Sequence, residues 1–323
     1  MISLRSLPLR NARYHWRSNL PVALGVAVGA AALTGALVVG DSLRGSLRDR
    51  AVRQLNGVHA AHVGPRLVRA ELAKELPGTG APALLLQGAV RFDPPSGDPR
   101  PARQLGRATV IGLDARGCAA MGQPWDATGW DENRPVAVLS APAAERLGVK
   151  AGDRIVVDVE KASNVPRSSA LGRRDPKDVS AAARLEVTAV LAPDARGNDF
   201  SLLPNLDTAF NVYVPLAAVQ AAVGRPGRAN ALLSFDPTPT AQLNAALAEK
   251  LTLDDWTIRV TAPTDYVSVE SEQLVLDGPT VAAAEAAAKT LGCRSARTFA
   301  YLANVISAGR DPVYTTDPAK GVK

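Results

Sequence analysis

Histidine and cysteine are nearly missing from this 323-residue sequence, which holds only His15, His59, His62, Cys118 and Cys293. A zinc site draws most of its ligands from these two residue types. Neither a CxxC nor a mixed Cys/His cluster is present. His59 and His62 form an HxxH, but on a strand that spacing turns the two rings to opposite faces, and no third ligand stands nearby. The cysteines lie far apart in the chain. They fit one disulfide if the bulk of the chain is outside the cytoplasm, and two free thiols otherwise.

The signatures of catalysis are missing too. The glycine-rich segment lacks the GK[ST] of a phosphate loop, and no GxSxG elbow occurs. Gly112 to Gly117 (GLDARG) reads as a turn rather than a dinucleotide fingerprint, and Ser140 reads as the cap of a following helix. The acidic pairs Asp131-Glu132 and Asp254-Asp255 flank turns, where solvated surface is the simplest reading. The expectation is a protein that is not an enzyme, with no catalytic, cofactor-binding or metal-binding residues and no cofactor.

Charge of one sign is also absent from most of the chain. The net charge is +6, and eight arginines against two aspartates before residue 54 account for all of it. The remaining residues carry 29 charges of each sign. A nucleic-acid binder needs a basic surface to neutralise phosphates, so no nucleic-acid partner is expected. The excess brackets an apolar run instead, as it does around membrane spans.

That run is LPVALGVAVGAAALTGALVVG, residues 20–40. As a helix it covers roughly 30 Å, the thickness of a bilayer's hydrocarbon core. The apolar region of a signal peptide is shorter and ends at a small-x-small cleavage site, which this run lacks. Ser18 or Asn19 is placed to cap the helix, Pro21 to sit in its first turn, and Tyr14 and Trp16 to lie in an interfacial aromatic belt. The flanking arginines are nearly balanced. The long C-terminal part and the short basic N-terminus favour a cytoplasmic N-terminus, with the chain beyond about residue 41 translocated.

Gly25 and Gly29 form a GxxxG, extended by Ala32, Ala36 and Gly40 at similar spacing; such a row lets a second helix approach closely. Leu43, Leu47, Ala51 and Leu55 then recur every four residues, and the first stop signal is Asn56-Gly57. Residues 20–55 therefore predict one helix of roughly 54 Å, projecting about 20 Å beyond the hydrocarbon as a stalk.

From residue 58 short strands and helices alternate. Val58–Val63 reads as a strand, and Pro65–Leu76 as a helix with Leu67, Val68, Leu72 and Leu76 inward. Ala83–Phe92 and Ala108–Gly112 read as strands around the hairpin DPPSGDPRP. PVAVLS, RLEVTAVLA, FNVYVPL, ANALLSFD and WTIRVTA read as further strands, VKAGDRIVVDVE as a turn and strand, and the stretch through Asn198 and Phe200 as a loop, with helices at APAAERLG, LAAVQAAVG, Thr240–Leu251 and residues 279–290. FAYLANVIS at 299–307 is strand-like, and the polar stretch 161–183 reads as a mobile loop.

Several stretches resemble one family. ARYHWRSNLPVALGVAVGAAALTGALVVGDSLRGSLRDRAV resembles the first transmembrane helix and stalk of ABC-transporter permeases of the MacB/FtsX-like kind. PVAVLSAPAAERLGVKAGDRIVV, YVPLAAVQAAVGRPGRANALLS and TFAYLANVISAGR resemble segments of their extracytoplasmic domain, in the family's order and over nearly the whole chain.

The resemblance implies an α+β protein: an N-terminal transmembrane helix with stalk, then a two-lobed mixed α/β domain of the MacB-like periplasmic core type. The implied parts are a cytoplasmic N-terminus (1–19), the transmembrane helix (20–40), the stalk (41–57) and a first, porter-like lobe (58–130 with 236–310). An inserted β-rich lobe (131–235) and a flexible C-terminus (311–323) complete them. The implied partners are the membrane, a separate cytoplasmic ABC ATPase, and a second permease helix in a homo- or heterodimer through Gly25 and Gly29. The implied location is the inner membrane, with the bulk of the chain periplasmic. Such permeases carry further membrane helices after this domain, whereas these 323 residues hold one apolar run of spanning length. The expectation is thus a permease subunit, or the N-terminal fragment of one, for export or extraction of a lipophilic or peptide cargo. The alternatives are a single-span periplasmic binding or adaptor protein, and a secreted enzyme with an unusual signal peptide.

Overall fold

The computed structural model describes residues 7–122, 130–132, 134–160, 180–203, 206–271, 276–298, 305–308 and 311–315. The chain divides into two compact units, Met1–Ile258 and Arg259–Lys323.

The first unit begins with helix α1 (Leu7–Tyr14) and helix α2 (Trp16–Gln54), separated at His15. At 39 residues α2 is unbroken across both the apolar run and the stalk, a length of about 58 Å. It starts earlier than expected, so Ser18 and Asn19 lie inside it rather than capping it, and Pro21 is interior. A proline there withholds one N–H from the ladder. The flank is exposed, so the carbonyl that this frees is not sealed inside the protein. The stop falls where the sequence placed it: Asn56 (φ 47) and Gly57 (φ 87) both take the left-handed conformation after the Leu55 cap.

The strands are β1 (Ala60–Arg69), β2 (Gly80–Phe92), β3 (Arg103–Leu113), β4 (Val136–Leu139), β5 (Arg154–Glu160), β6 (Ser180–Val190), β7 (Asn211–Pro215) and β8 (Arg228–Ser234). They form one sheet in the order β1-β8-β2-β3-β7-β4-β6-β5, and a further β2–β5 pairing closes six of them into a ring. β2 does this by changing neighbours along its 13 residues: Gly80–Ala83 pairs with β8, and Gly88–Arg91 with β5. Gly88 permits the switch. A Cβ there would stand 2.6 Å from the Asp158 carbonyl oxygen, and the β2–β3 register shifts between Gly88 and Val90.

Side chains alternate across the sheet. Leu84, Val110, Val212, Ala137, Val187 and Val157, one from each strand of the ring, meet in a single buried cluster, which is therefore the ring's interior. Helices α5 (Ala141–Leu147) and α6 (Leu216–Val223) add Leu147, Val219 and Val223 to it. The neighbouring positions Ile111, Val138 and Tyr213 face the other way, into a second cluster with Val58, Cys118, Leu191, Phe200 and Leu233. A third, smaller cluster packs Val68, Leu72 and Leu232 under helix α7 (Thr240–Lys250) through Leu247 and Leu251. Two further short α-helices among the described residues are α3 (Leu72–Glu75) and α4 (Ala115–Ala120), and Arg196–Asp199 is a 3-10 turn.

One element differs plainly from expectation. Pro65–Leu76 is not a helix: β1 continues to Arg69 through an irregularity between Val63 and Val68, and only Leu72–Glu75 is helical. Pairing with β8 outweighs the helical spacing of the leucines, and Pro65 sits in the irregularity, where its missing N–H removes no ladder bond. The expected hairpin around DPPSGDPRP is present, and Arg100 within it clamps Asp98 and Asp153 with hydrogen bonds of 2.6 to 3.1 Å. The expected loop at 161–183 lies outside the described residues up to 179, and 180–183 belong to β6.

In the second unit, β10 (Ser268–Ser271) pairs with β9 (Ile258–Thr261), whose first residue closes the preceding unit. Helix α8 (Gly278–Thr290) is capped by Asp277, whose Oδ1 accepts from the Thr280 N–H at 3.0 Å. β11 (Val305–Ala308) pairs with β12 (Asp311–Thr315), so residues 311–315 form a strand within the stretch expected to fray.

Candidate functional site at the base of the long helix

No cluster of three or more His, Cys, Asp or Glu suited to a metal occurs among the described residues. Cys118 is buried and Cys293 exposed, and both are free thiols. Burial, with Asp114 and Glu132 beside it, pushes the Cys118 thiol well above its ordinary range, so it stays protonated and inert. The distinctive feature is where α2 meets the sheet.

Gln54, the last residue of α2, is buried, and its carbonyl accepts from the Ser201 N–H at 2.9 Å. One turn earlier Arg50 Nη2 donates to the Leu206 carbonyl at 3.2 Å. Beyond the stop, Val58 enters the second core cluster beside Phe200, and the His59 N–H donates to the Ser234 carbonyl at 2.8 Å, opening the sheet. The helix thus holds the start of β1, the loop 191–203 and Leu206.

Three polar side chains fix that loop to the ring. Asn198 accepts from the Ala141 N–H through Oδ1 at 2.8 Å and donates through Nδ2 to the Ala192 carbonyl at 2.6 Å, joining the loop to the start of α5. Asn211 Nδ2 donates towards the carbonyls of Gly197 at 3.1 Å and Phe200 at 3.0 Å. Tyr213 Oη donates to Gly197 at 2.7 Å. Tyr213 is fully buried, and burial drives its hydroxyl far above the usual phenol range, so it remains a donor at every physiological pH. The network carries no nucleophile or general base. It is neutral, buried and locked to a helix end.

Ser140 does not cap α5 with its side chain. Its Oγ accepts from the Asn211 N–H at 3.0 Å, and Asn198 supplies the helix with its acceptor instead. Asp255 is not solvated surface either: its carboxylate is buried, taking Arg69 Nε at 3.0 Å and the Thr252 N–H at 3.0 Å. Glu132 accepts from the Ala115 N–H. Gly112 to Gly117 does turn, with Asp114 Oδ1 accepting from the Gly117 N–H at 2.9 Å to start α4. Gly25 and Gly29 are exposed, and a Cβ on either would meet nothing within 4 Å.

Sequence reasoning missed the polar pins. Asn211 stands at the head of the apolar strand NVYVP, and Asn198 follows a glycine in a loop; a lone amide entering an apolar strand was the one available signal.

Residues 22–289 match the family model of the MacB-like periplasmic core domain. No curated protein matches the chain in sequence. Among solved structures, the periplasmic region of MacB from Actinobacillus actinomycetemcomitans is 11% identical, with 76% of this chain and 99% of that chain covered and a TM-score of 0.37. The extracellular domain of the noncanonic ABC-type transporter YknZ from Gram-positive bacteria is also 11% identical, with 64% and 91% covered and a TM-score of 0.35. The family match takes in well over half of the 323 residues and begins within the membrane-length helix, and the chain therefore belongs to the family of the MacB-like periplasmic core domain.

Proposed function

We propose that the chain is a permease subunit, or the N-terminal part of one, in an ABC transporter whose separate cytoplasmic ATPase drives extracytoplasmic motion. The observation that carries this reading is α2 itself. One uninterrupted 39-residue helix leads from the apolar run to a buried base, where the Gln54 carbonyl takes the Ser201 N–H. A plain anchor needs neither the extension beyond the membrane nor the stitched base.

In this reading residues 1–19 are cytoplasmic, 20–40 span the inner membrane and the rest is periplasmic. A second permease helix packs on Gly25 and Gly29, where the absent Cβ atoms leave room. The division into a lobe of 58–130 with 236–310 and an inserted lobe of 131–235 belongs to the same reading. Strands from both share one sheet, so the helix displaces that sheet as a body. The cargo is lipophilic or peptidic.

The test is co-purification of the full chain with an ABC ATPase, followed by insertion of Gly-Pro between Gly45 and Ser46. Association that persists while ATP-dependent cargo movement is lost supports the lever. Failure to associate with any ATPase leaves the anchored binding or adaptor protein as the correct reading.

A further inference from the structure

Four arginines, Arg44, Arg48, Arg50 and Arg53, follow the membrane run. Arg50 is engaged with the Leu206 carbonyl. Arg44 and Arg48 are exposed and have no hydrogen bond or ion pair among the described residues. At 100° per residue they share one face of α2, within about 60°, with Val26, Leu33 and Leu37. Those three are among the most exposed apolar side chains of the helix, at 67%, 70% and 74%. The small residues Gly25, Gly29, Ala32, Ala36 and Gly40 lie about a quarter turn away, on the side of Gln54 and Arg50. The helix therefore has one face shaped for a close helix neighbour and another on which bulky apolar side chains run up to two free cations.

We infer that Arg44 and Arg48 form a binding site for the head group of an anionic phospholipid, whose acyl chains lie along Val26, Leu33 and Leu37. The heights agree. Arg44 stands about 6 Å beyond Gly40, within the head-group layer of roughly 5–8 Å that borders the hydrocarbon. Arg48 stands about 12 Å beyond, but helical side chains lean towards the N-terminus, which here is back towards the membrane, and arginine's long stem reaches further. Guanidinium and phosphate pair through two parallel hydrogen bonds.

The orientation proposed above adds a second argument, and this step rests on that reading. Translocated arginines oppose the positive-inside preference, and the acids Asp41 and Asp49 offset that little. Four cations on the disfavoured side call for a gain that compensates, and phosphate contact supplies it for Arg44 and Arg48.

Native mass spectrometry of the full chain, titrated with phosphatidylglycerol and separately with phosphatidylcholine, tests the site. At roughly fivefold per basic residue, R44Q/R48Q is expected to bind phosphatidylglycerol ~25-fold more weakly than wild type. Phosphatidylcholine binding should be unchanged, and R44K/R48K should recover most of the loss. A control, R10Q/R13Q, separates the cytoplasmic flank and should leave that difference between wild type and R44Q/R48Q intact. Equal phosphatidylglycerol binding by wild type and R44Q/R48Q overturns the proposal. So does a wild-type dimer that R44Q/R48Q abolishes without any lipid preference, since the face would then serve a second copy. Impermeant maleimide labelling of Ser46→Cys in a Cys293→Ser background reports the orientation independently. A cytoplasmic Ser46 would sink the orientation while the lipid preference still stands or falls on the titration.

Discussion

The carbonyl of Gln54, at the end of the 39-residue helix, accepts the main-chain N–H of Ser201 at 2.9 Å. This bond joins the helix terminus to a loop that Asn198, Asn211 and Tyr213 hold against the closed sheet. Ser201→Pro deletes the donor without touching the helix. An orphaned, mostly desolvated carbonyl costs about 1–3 kcal/mol. A fall in thermal midpoint of a few degrees is expected, with faster hydrogen exchange confined to 196–203. Exchange that rises evenly over the sheet instead would show that the loop is not a separate link.

Asn211 and Tyr213 converge on the Gly197 carbonyl, but their weights differ. Asn211 Nδ2 also reaches Phe200, so Asn211→Ala strips several buried acceptors at once. About 2–3 kcal/mol of destabilisation is expected for Asn211→Ala and about 1 kcal/mol for Tyr213→Phe. Because the two share an acceptor, either one alone keeps the Gly197 carbonyl satisfied, and the double variant, which orphans it, should lose more than the sum. Chemical denaturation of all three variants measures the coupling, and strict additivity would refute a shared network.

How much of this was legible follows from the range of each signal. The helix stop at Asn56-Gly57 was readable because left-handed backbone favours those two residue types locally. The hairpin at DPPSGDPRP was readable from turn chemistry in the same way. Pro65–Leu76 misled because its leucines also fit a helix, and what decides the matter is pairing with β8, some 160 residues downstream. The pins Asn198 and Asn211 left almost no trace, since their partners are main-chain carbonyls and amides that any sequence provides. Asp255 was mistaken for surface because burial by Arg69, 186 positions away, leaves no local mark.

Asp255 also sets a pH dependence. Burial raises its carboxyl pKa, but hydrogen bonds from Arg69 and Thr252 outweigh that and hold it below the ordinary value. A carboxyl whose folded pKa is depressed stabilises fully above its unfolded value, about 3.9, and loses that contribution as pH falls through the folded one. Wild-type stability should therefore drop below about pH 4. Asp255→Asn should be weaker at pH 7 by about 2–3 kcal/mol, because Arg69 loses its charged partner, and should show a shallower acid limb. Thermal midpoints taken from pH 7 to pH 3 decide this; parallel curves for the two proteins would rule it out.

Gly88 tests the closure of the ring. A Cβ at this position would lie 2.6 Å from the Asp158 carbonyl oxygen and 3.2 Å from Val159 Cγ1, and the first of these is main chain that cannot rotate away. Gly88→Ala must therefore push β5 off β2 over the pairs Gly88–Val159 to Arg91–Val156. The loss reaches beyond one hydrogen bond, because Val90, Val157 and Val159 belong to the interior cluster that closure seals. A destabilisation of at least ~3 kcal/mol is expected, with exchange protection lost first in 154–160 and retained in β1 and β8. Gly106→Ala is the control, since a Cβ there meets nothing within 4 Å, and it should change stability by no more than about 0.5 kcal/mol. If Gly88→Ala melts like wild type, β2 and β5 do not pair closely enough to close the ring.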